Sequence, residues 1–391
     1  MSVLASSVAT LTAVTWSYLA FARGSFWRIK SAKPDASLNP GFSGGVVAVV
    51  PARNEAELIG PVVTSLLNQC VAIPVVLVDD ESTDGTADVA RRASKNAGKA
   101  DALIVVQSKP LPAEWTGKLW SMHQGIARAR ALNPAWLMLA DADVLHGEET
   151  VANLSFIASH GHYDLVSFMV KLHCESLPEK LLLPAFVYFF FMLYPPAWIS
   201  DPRRSTAGAA GGCMLVKAEI LERAGGLEAI RGAIIDDCSL ARLLKQQGGR
   251  LWIGLADQSQ SLRRYDTFSD VEHMISRTAF NQLKHSSLLL LCTIAGMVIT
   301  YLAPPLLLLT HSRLTIFVGA AAWAAMTITY STMVRYYRLN PAWALTLPLA
   351  ALFYLGATMH SAVKYWNGSG GDWKGRVQDV QDRHSTETPL G

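Results

Sequence analysis

Leu137-Met138-Leu139-Ala140-Asp141-Ala142-Asp143 is the stretch on which the reading of this chain turns. An apolar run leads directly into two carboxylates spaced one residue apart. Strand residues of this kind carry a chain through a hydrophobic core. The aspartates then emerge at the carboxyl end, where ligands bind in open α/β sheets. Two hard oxygen ligands there suit Mg2+ or Mn2+ bridging the two phosphates of a nucleotide. Alone, a D-x-D pair fits a solvated loop or a helix cap equally well, so its weight comes from its surroundings.

Upstream, strands and helices alternate. Val46 to Val50 is a β-branched run, and Glu55 to Cys70 has helical spacing. Pro74 to Val78, Leu103 to Val106 and Ala135 to Ala140 are further apolar strands, with a second helix expected over Asp84 to Ala97. This pattern predicts an α/β fold with a doubly wound, mostly parallel sheet between Gly45 and about His285. In such a sheet the residues just after each strand share one crevice. Pro51-Ala52-Arg53-Asn54-Glu55 follows the first strand, and Asp79-Asp80-Glu81-Ser82-Thr83-Asp84-Gly85-Thr86 the second. Asn54 and Asp84 read as helix N-caps, at least one of them in that role. Glu55, Asp79 and Asp80 are placed to accept hydrogen bonds from a ribose and a base edge. No G-x-G-x-x-G follows the first strand and no G-x-x-x-x-G-K-[ST] is present, which argues against a dinucleotide oxidoreductase and a P-loop NTPase.

The 391 residues are 51% hydrophobic and 17% charged, with the apolar residues concentrated at the two ends. That distribution predicts a water-facing domain held by membrane segments. An uncharged span from about Val3 to Phe21 precedes Arg23, Arg28, Lys30 and Lys33. A cleavable signal would carry its positive charge first, so residues 1–33 read as an uncleaved anchor with a cytoplasmic basic flank. Further spans run from about Ser287 to Leu309, Leu314 to Val334 and Ala342 to Val363, together forming a membrane region over 287–363. Basic Lys284, Arg335 and Arg338 flank them. The polar tail, 364–391, carries Lys364, Lys374, Arg376 and Arg383, which also favours the cytoplasm. Three crossings would put that tail outside, so one span is expected to be re-entrant, the Pro304-Pro305 pair marking the Ser287 span. The aromatic stretch 181–199 is broken by Pro184, Pro195 and Pro196 and is expected to lie along the interface. A net charge of +3 gives no case for nucleic acid. Five scattered cysteines without a C-x-x-C pair suit a reducing compartment.

P-A-R-N-E, V-D-D-E-S-T-D-G-T, W-T-G-K and A-D-A-D, in this order, resemble the nucleotide half of a family 2 glycosyltransferase over roughly Val46 to His285. The resemblance implies a GT-A fold and a nucleotide-sugar donor, uridine diphosphate being the family's commonest carrier. It also implies a role for Pro51, Arg53, Glu55, Asp79, Asp80, Lys118 and Asp141 at the donor. Lys118 would approach the phosphates, and Asp141 with Asp143 the diphosphate and a divalent cation. Ala207-Gly208-Ala209-Ala210-Gly211-Gly212-Cys213-Met214 is a small-residue loop before a strand, in which Gly211, Gly212 and Cys213 would form an acceptor loop. Asp236-Asp237 resembles the family's acidic pair, Asp237 aligning with the general base and Asp236 with a loop-orienting partner. Met274-Ile275-Ser276-Arg277-Thr278 stands where processive members carry Q-x-x-R-W and lacks the Gln and Trp. Arg277 would still steady the leaving diphosphate, with Arg263 and Arg264 as alternatives for that work or for lipid headgroups. W-T-G-K-L-W, D-D-C, I-S-R-T-A-F and the W-K-G-R of Trp373 to Arg376 bring the layout closest to the hopanoid-associated branch. That branch implies a membrane-lipid acceptor and a catalytic domain on the cytoplasmic side of a bacterial plasma membrane. A processive polysaccharide synthase and a non-catalytic nucleotide-binding scaffold stand as alternatives.

Overall fold

The apolar runs form strands, and their order places the carboxylates. A computed structural model of the chain describes residues 2–29, 45–367, 372–373 and 376–377. Lys30, Lys33, Lys374 and Arg383, named above as basic flanks, lie outside the described residues. The chain divides into two units: an α/β unit of Lys30–His173, Trp198–Arg263 and Asp372–Gly391, and a helical unit of Met1–Ile29, Cys174–Ala197 and Arg264–Gly371. The stretch expected as one domain, 45–285, contributes to both units, with Cys174–Ala197 and the residues after Arg263 grouped in the helical one.

In the α/β unit, β1 (Val46–Ala52), β2 (Val75–Asp79), β3 (Leu103–Gln107) and β4 (Trp136–Ala140) alternate with α1 (Ile59–Leu67), α2 (Thr86–Asn96) and α3 (Gly117–Arg130). Then come β5 (Val144–Leu145), α4 (Thr150–Gly161), β6 (Leu165–Lys171), β7 (Cys213–Lys217), α5 (Ala218–Arg223), α6 (Asp236–Gln246) and β8 (Leu251–Ser261). The eight-stranded sheet has the order β3-β2-β1-β4-β7-β6-β8-β5. Strands β3, β2, β1 and β4 are parallel, β7 runs against both β4 and β6, and β6 and β8 are parallel. The chain moves outward from β1 to β2 and β3, then returns to place β4 on the other side of β1. That reversal is the switch point at which such sheets bind ligands.

Every residue of β1 is buried, as both faces of a parallel sheet covered by helices demand. Pro51 is tolerated in this central strand because pairing to β4 stops at Val49, while pairing to β2 runs on to Ala52. Ile59, Val62, Val63, Leu66 and Leu67 of α1 and Val151, Leu154 and Ala158 of α4 pack against one face of the sheet. The first helix is shorter than expected, since Glu55 spends its carbonyl on a turn to Leu58 and Ile59 instead of helix interior.

Among the described residues five helices are long and apolar enough to cross a membrane: Val3–Ala22, Leu177–Ser200, Ser287–Leu307, Arg313–Tyr336 and Pro341–Trp366. Three of these match the expected C-terminal spans to within a few residues. The stretch 181–199, expected along the interface, belongs to the helical unit as far as Ala197, and the helix that carries it, Leu177–Ser200, is as long and apolar as the others. A capping box on Ser176 and Glu179 starts it, Pro184 is absorbed within it, and the Pro195-Pro196 pair separates Leu177–Leu193 from Pro196–Ser200. Pro304 and Pro305 do not break their span: a π-helical turn over Val298–Leu302 runs into Ala303–Leu307, whose first turn needs few N–H donors. Three buried polar tips are paired within the bundle, while Trp323 Nε1 has no hydrogen-bond partner among the described residues. Tyr188 Oη lies 2.8 Å from Thr329 Oγ1, Tyr354 Oη donates to Leu182 O at 3.1 Å, and Trp16 Nε1 donates to Thr300 O at 2.7 Å. An apolar surround leaves such groups no other partner.

Helix α3 lies close on the sheet at a glycine. A Cβ on Gly125 would come within 2.5 Å of Val49 Cγ1 and 2.9 Å of Val78 Cγ2. Alanine would gain about 1 kcal/mol in helix propensity, but overpacking a core typically costs about 1–3 kcal/mol, so the contact decides. Gly125→Val is expected to destabilise the α/β unit by more than about 2 kcal/mol, read as a lowered melting temperature of the detergent-solubilised protein.

Candidate functional site

The loops after β1 and β2 are clasped to each other. Asn54 sits in the left-handed region with φ 51, and its Oδ1 accepts from Thr83 N at 2.9 Å. Asn54 N donates to Ser82 Oγ at 3.0 Å, and Glu55 N to Thr86 Oγ1 at 2.9 Å. Asp84 Oδ2 accepts from Ala56 N at 2.9 Å, while its Oδ1 accepts from Thr86 Oγ1 at 2.6 Å. Burial opposes the charge on Asp84, but the Thr86 hydroxyl and the Ala56 and Thr86 N–H groups outweigh it and hold the carboxyl below its usual range. The N-caps of α1 and α2 are Leu58 and Gly85; Asn54 links the two loops, and Asp84 both links them and accepts from Thr86 N, the first residue of α2, at 3.0 Å. Arg53 Nη1 donates to Asp80 O at 2.5 Å and lies 3.6 Å from Asp80 Oδ2. Asp79 ends β2, its two oxygens accepting from Ser82 N and Gln107 Nε2, each at 3.2 Å. Asp79 and Asp80 thus form the buried floor of this corner, and Pro51 closes the strand that leads to it.

A second cluster gathers around Lys118 at the start of α3. Its Nζ lies 2.9 Å from Asp141 Oδ1 and 3.1 Å from Asp236 Oδ2. Burial alone would lower the lysine's pKa, but the charges of Asp141 and Asp236 prevail and hold it well above its usual value. One backbone hydrogen bond and one side-chain ion pair fix this alignment. Thr116 N donates to Arg231 O at 2.9 Å, and Arg231 Nη2 reaches Glu114 Oε2 at 2.7 Å, so the chain entering α3 is tied to the chain entering α6.

Asp237 is held by main chain. Its Oδ2 accepts from Gly211 N at 2.9 Å and its Oδ1 from Cys238 N at 2.6 Å. Burial and the neighbouring Asp236 charge raise its pKa to about 6, against the opposing influence of Lys118 and the two N–H groups. Gly212 follows, where a Cβ would press on Val144 and Val170 at 3.2 and 3.3 Å. Cys213 is the first residue of β7, fully buried, its thiol pushed far up by burial and by the Asp141 charge. Cys213 therefore closes the loop from within the sheet, and Gly211 is its point of contact with the acidic pair.

The third cluster joins loops far apart in sequence. Arg263 donates from Nε to Asp143 Oδ2 at 2.8 Å and from Nη2 to Glu55 Oε1 at 2.6 Å. Strand pairing of Val144 with Ser261 and Leu145 with Gln260 brings it there. Burial and Asp141 raise the pKa of Asp143, and Arg263 opposes that shift.

A family model described as "Glycosyltransferase like family 2" matches residues 43–268, more than half of the chain. The chain belongs to this family. A stretch of 96 residues is 36% identical to 4,4'-diaponeurosporenoate glycosyltransferase of Staphylococcus aureus, covering 25% of this chain and 23% of that protein. The chain thus spans about a quarter of the length of the curated relatives it matches. Among solved structures, the mannosyltransferase PcManGT from Pyrobaculum calidifontis in complex with GDP-Man and Mn2+ is similar with a TM-score of 0.51 at 20% identity, over 92% of this chain and 99% of that one. At that identity the likeness is one of fold, and it supports the expected GT-A architecture.

The structure brings Glu55, Lys118, Asp141, Asp143, Gly211, Asp236 and Asp237 to the carboxyl-end side of the sheet. Arg277 does not belong to the same unit: it caps the helix Phe268–Ser276 in the helical unit, its N–H donating to His273 O. Among the described residues no group of three or more His, Cys, Asp or Glu stands ready to hold a metal. Asp141 and Asp143 nonetheless fit Mg2+ or Mn2+, which commonly take one or two carboxylates and complete their shell with phosphate oxygens and water. Sequence reasoning offered Arg263 only as an alternative to Arg277. Its place against Asp143 depends on β8 pairing with a two-residue strand, which apolar periodicity does not reveal.

Gly211 is where the acceptor loop and the acidic pair are closest. A Cβ there would lie 3.3 Å from Asp237 Oδ2 and 3.6 Å from Lys118 Nζ. Gly211→Ala is expected to lower turnover roughly 10- to 100-fold by displacing that carboxylate, with nucleotide affinity, measured by calorimetry, little changed.

Proposed function

We propose that this glycosyltransferase transfers a sugar, with inversion, from a nucleoside-diphosphate donor to a hydroxyl of a membrane lipid, a hopanoid or other isoprenoid alcohol. The observation that carries the chemistry is Asp237. It is a carboxylate held by two backbone N–H groups, with a pKa near 6, beside a lysine that also neutralises the D-x-D aspartate. A group of that pKa is ionised at neutral pH and strong enough to draw a proton from an alcohol as it attacks.

In this mechanism Glu55, Asp79 and Asp80 receive the nucleoside, and Lys118 faces the diphosphate. The acceptor oxygen bonds to the anomeric carbon from the face opposite the diphosphate, and its proton passes to Asp237. The bond from the anomeric carbon to the phosphate oxygen breaks, and the charge left there is met by Lys118. A divalent cation on Asp141 and Asp143 would add neutralisation of the same phosphates. Asp236, paired to Lys118, orients the lysine between donor and base. Arg277, in the other unit, enters this reading as a further phosphate-facing cation on the strength of the family resemblance alone.

The lipid acceptor rests on the five helices long and apolar enough to cross a membrane. The Staphylococcus aureus relative is named for 4,4'-diaponeurosporenoate, a carboxylate, so the hydroxyl of the proposed acceptor is argued from Asp237 and not from that relative. Basic residues at helix ends, Arg23, Arg28, Lys284, Arg335 and Arg338, support a cytoplasmic site at the plasma membrane.

Two measurements test this reading. Since the base must be ionised, the rate is expected to fall about tenfold per pH unit below about pH 6, the value to which the Asp237 pKa is raised. It should stay level above that, and Asp237→Asn should lose about 10²–10⁴-fold at all pH values. An acid limb near pH 4 would remove Asp237 from the role. Mass spectrometry of lipid extracts from cells carrying the wild-type chain or Asp237→Asn should show a glycolipid gained only with the former. No lipid difference in a host supplying hopanoids and sugar nucleotides would refute the acceptor class.

A further inference from the structure

We infer that Lys245 is a positioning residue for the acceptor side of the site: from the far end of α6 it fixes where the loop 207–212 begins, and so keeps Gly211 N–H on the Asp237 carboxylate. The inference rests on reading Asp237 as the base.

Lys245 lies in the last turn of α6, about 12 Å along the helix axis from Asp237. Its ammonium donates to three carbonyls: Ile199 O at 2.7 Å, Thr206 O at 2.7 Å and Trp198 O at 3.2 Å. An ammonium has three N–H donors and no acceptor, so each donor is spent on main chain. All four residues belong to the α/β unit. Joining Ile199 to Thr206 closes the turn 200–205 at its base, and Thr206 is the last residue before the small-residue loop. Burial lowers the pKa of Lys245, and Asp201 within the closed turn opposes that shift.

From Thr206 onward the loop is laid along α6 towards its N-terminal end. Ala209 O accepts from Cys238 Sγ at 3.7 Å, and Gly211 N donates to Asp237 Oδ2 at 2.9 Å. Residues 207–210 between these points are buried. A link from β6, Ala210 N to Ser167 Oγ at 2.8 Å, sets the height of the loop over the sheet. Its register along α6 is set by Lys245 at the entry and by Asp237 at the exit. One helix therefore carries both the base and the anchor of the loop that orients it. With Lys245 replaced, the loop keeps its hold on β6 but loses its fixed entry on α6. A displacement of about 1 Å at a reacting group can cost about 10²-fold in rate.

The test uses full-length protein in detergent, as wild type, Lys245→Met and Lys245→Arg. Hydrogen exchange read by mass spectrometry should show the amides of 207–212 exchanging about tenfold faster in Lys245→Met, with those of β1 unchanged. General loosening would speed both together. Binding of UDP and GDP with Mn2+, read by calorimetry, should be unchanged. Transfer of labelled sugar from UDP-glucose or GDP-mannose to lipid in membranes of the producing host should fall roughly tenfold or more. Its acid limb should move up by about half a unit, because a carboxylate that loses an N–H donor holds its proton more tightly. Asp236 and Lys118, the charged neighbours of Asp237, are untouched by the substitution. Lys245→Arg keeps the charge but presents a planar fork to three converging carbonyls, and should recover part of the rate and of the protection. A lowered melting temperature with exchange in 207–212 and the acid limb both as in the wild type would make Lys245 merely structural and overturn the inference. If the wild type transfers no sugar, the proposed reaction fails and the catalytic role of Lys245 falls with it. Faster exchange of 207–212 in Lys245→Met would then show the clasp alone, which tells that failure apart from a loop that Lys245 never held.

Discussion

A group of buried carboxylates persists only if positive charge is buried with it, and in this protein that constraint falls on Lys118. Its ammonium stands between Asp141 and Asp236, which come from a strand end and a helix start almost a hundred residues apart. Removing one partner from a buried ion pair typically costs about 3–5 kcal/mol. Lys118 is 19% exposed, so the share here is smaller, yet it still outweighs any single hydrogen bond nearby. Much of the surrounding architecture serves its placement. Gly125 lets α3 settle onto β1 and β2, and the Thr116–Arg231 link sets where α3 begins. Gly211 leaves room where the ammonium and Asp237 approach the loop.

The parallel half of the sheet was legible because each of its strands is a short apolar run followed by polar residues. β1, β2, β3 and β4 each match their expected ranges to within two residues. The residues expected at the site follow from the same logic, since carboxyl ends of parallel strands must share an edge. What the pattern did not yield were features depending on pairing between distant segments. The β5–β8 ladder, which delivers Arg263, involves two residues on one side and carries no periodic signal. Asn54 and Asp84 misled in a useful way. Asp84 does accept from Thr86 N at the start of α2, as a cap would, but it also accepts from Ala56 N across the loops, and Asn54 accepts from Thr83 N of the neighbouring loop.

Proline was the other source of difference. In Leu177–Leu193 a proline sits inside the helix, and in Ser287–Leu307 two follow a π-helical turn. Both segments keep their length and apolar character. A proline breaks a helix chiefly through one lost hydrogen bond and one clash. A local widening of the turn relieves both, and composition alone gives no sign of it.

The way Asp237 is held bears on how the chain around it can vary. Each carboxylate oxygen already accepts one backbone N–H, from Gly211 on one side and Cys238 on the other. The carboxyl plane is therefore set by the polypeptide itself, and the remaining lone pairs point in directions that no neighbouring side chain chooses. Side chains around the carboxylate can then be exchanged without turning it. Its orientation is written in the main chain, and its surroundings in the side chains that line it.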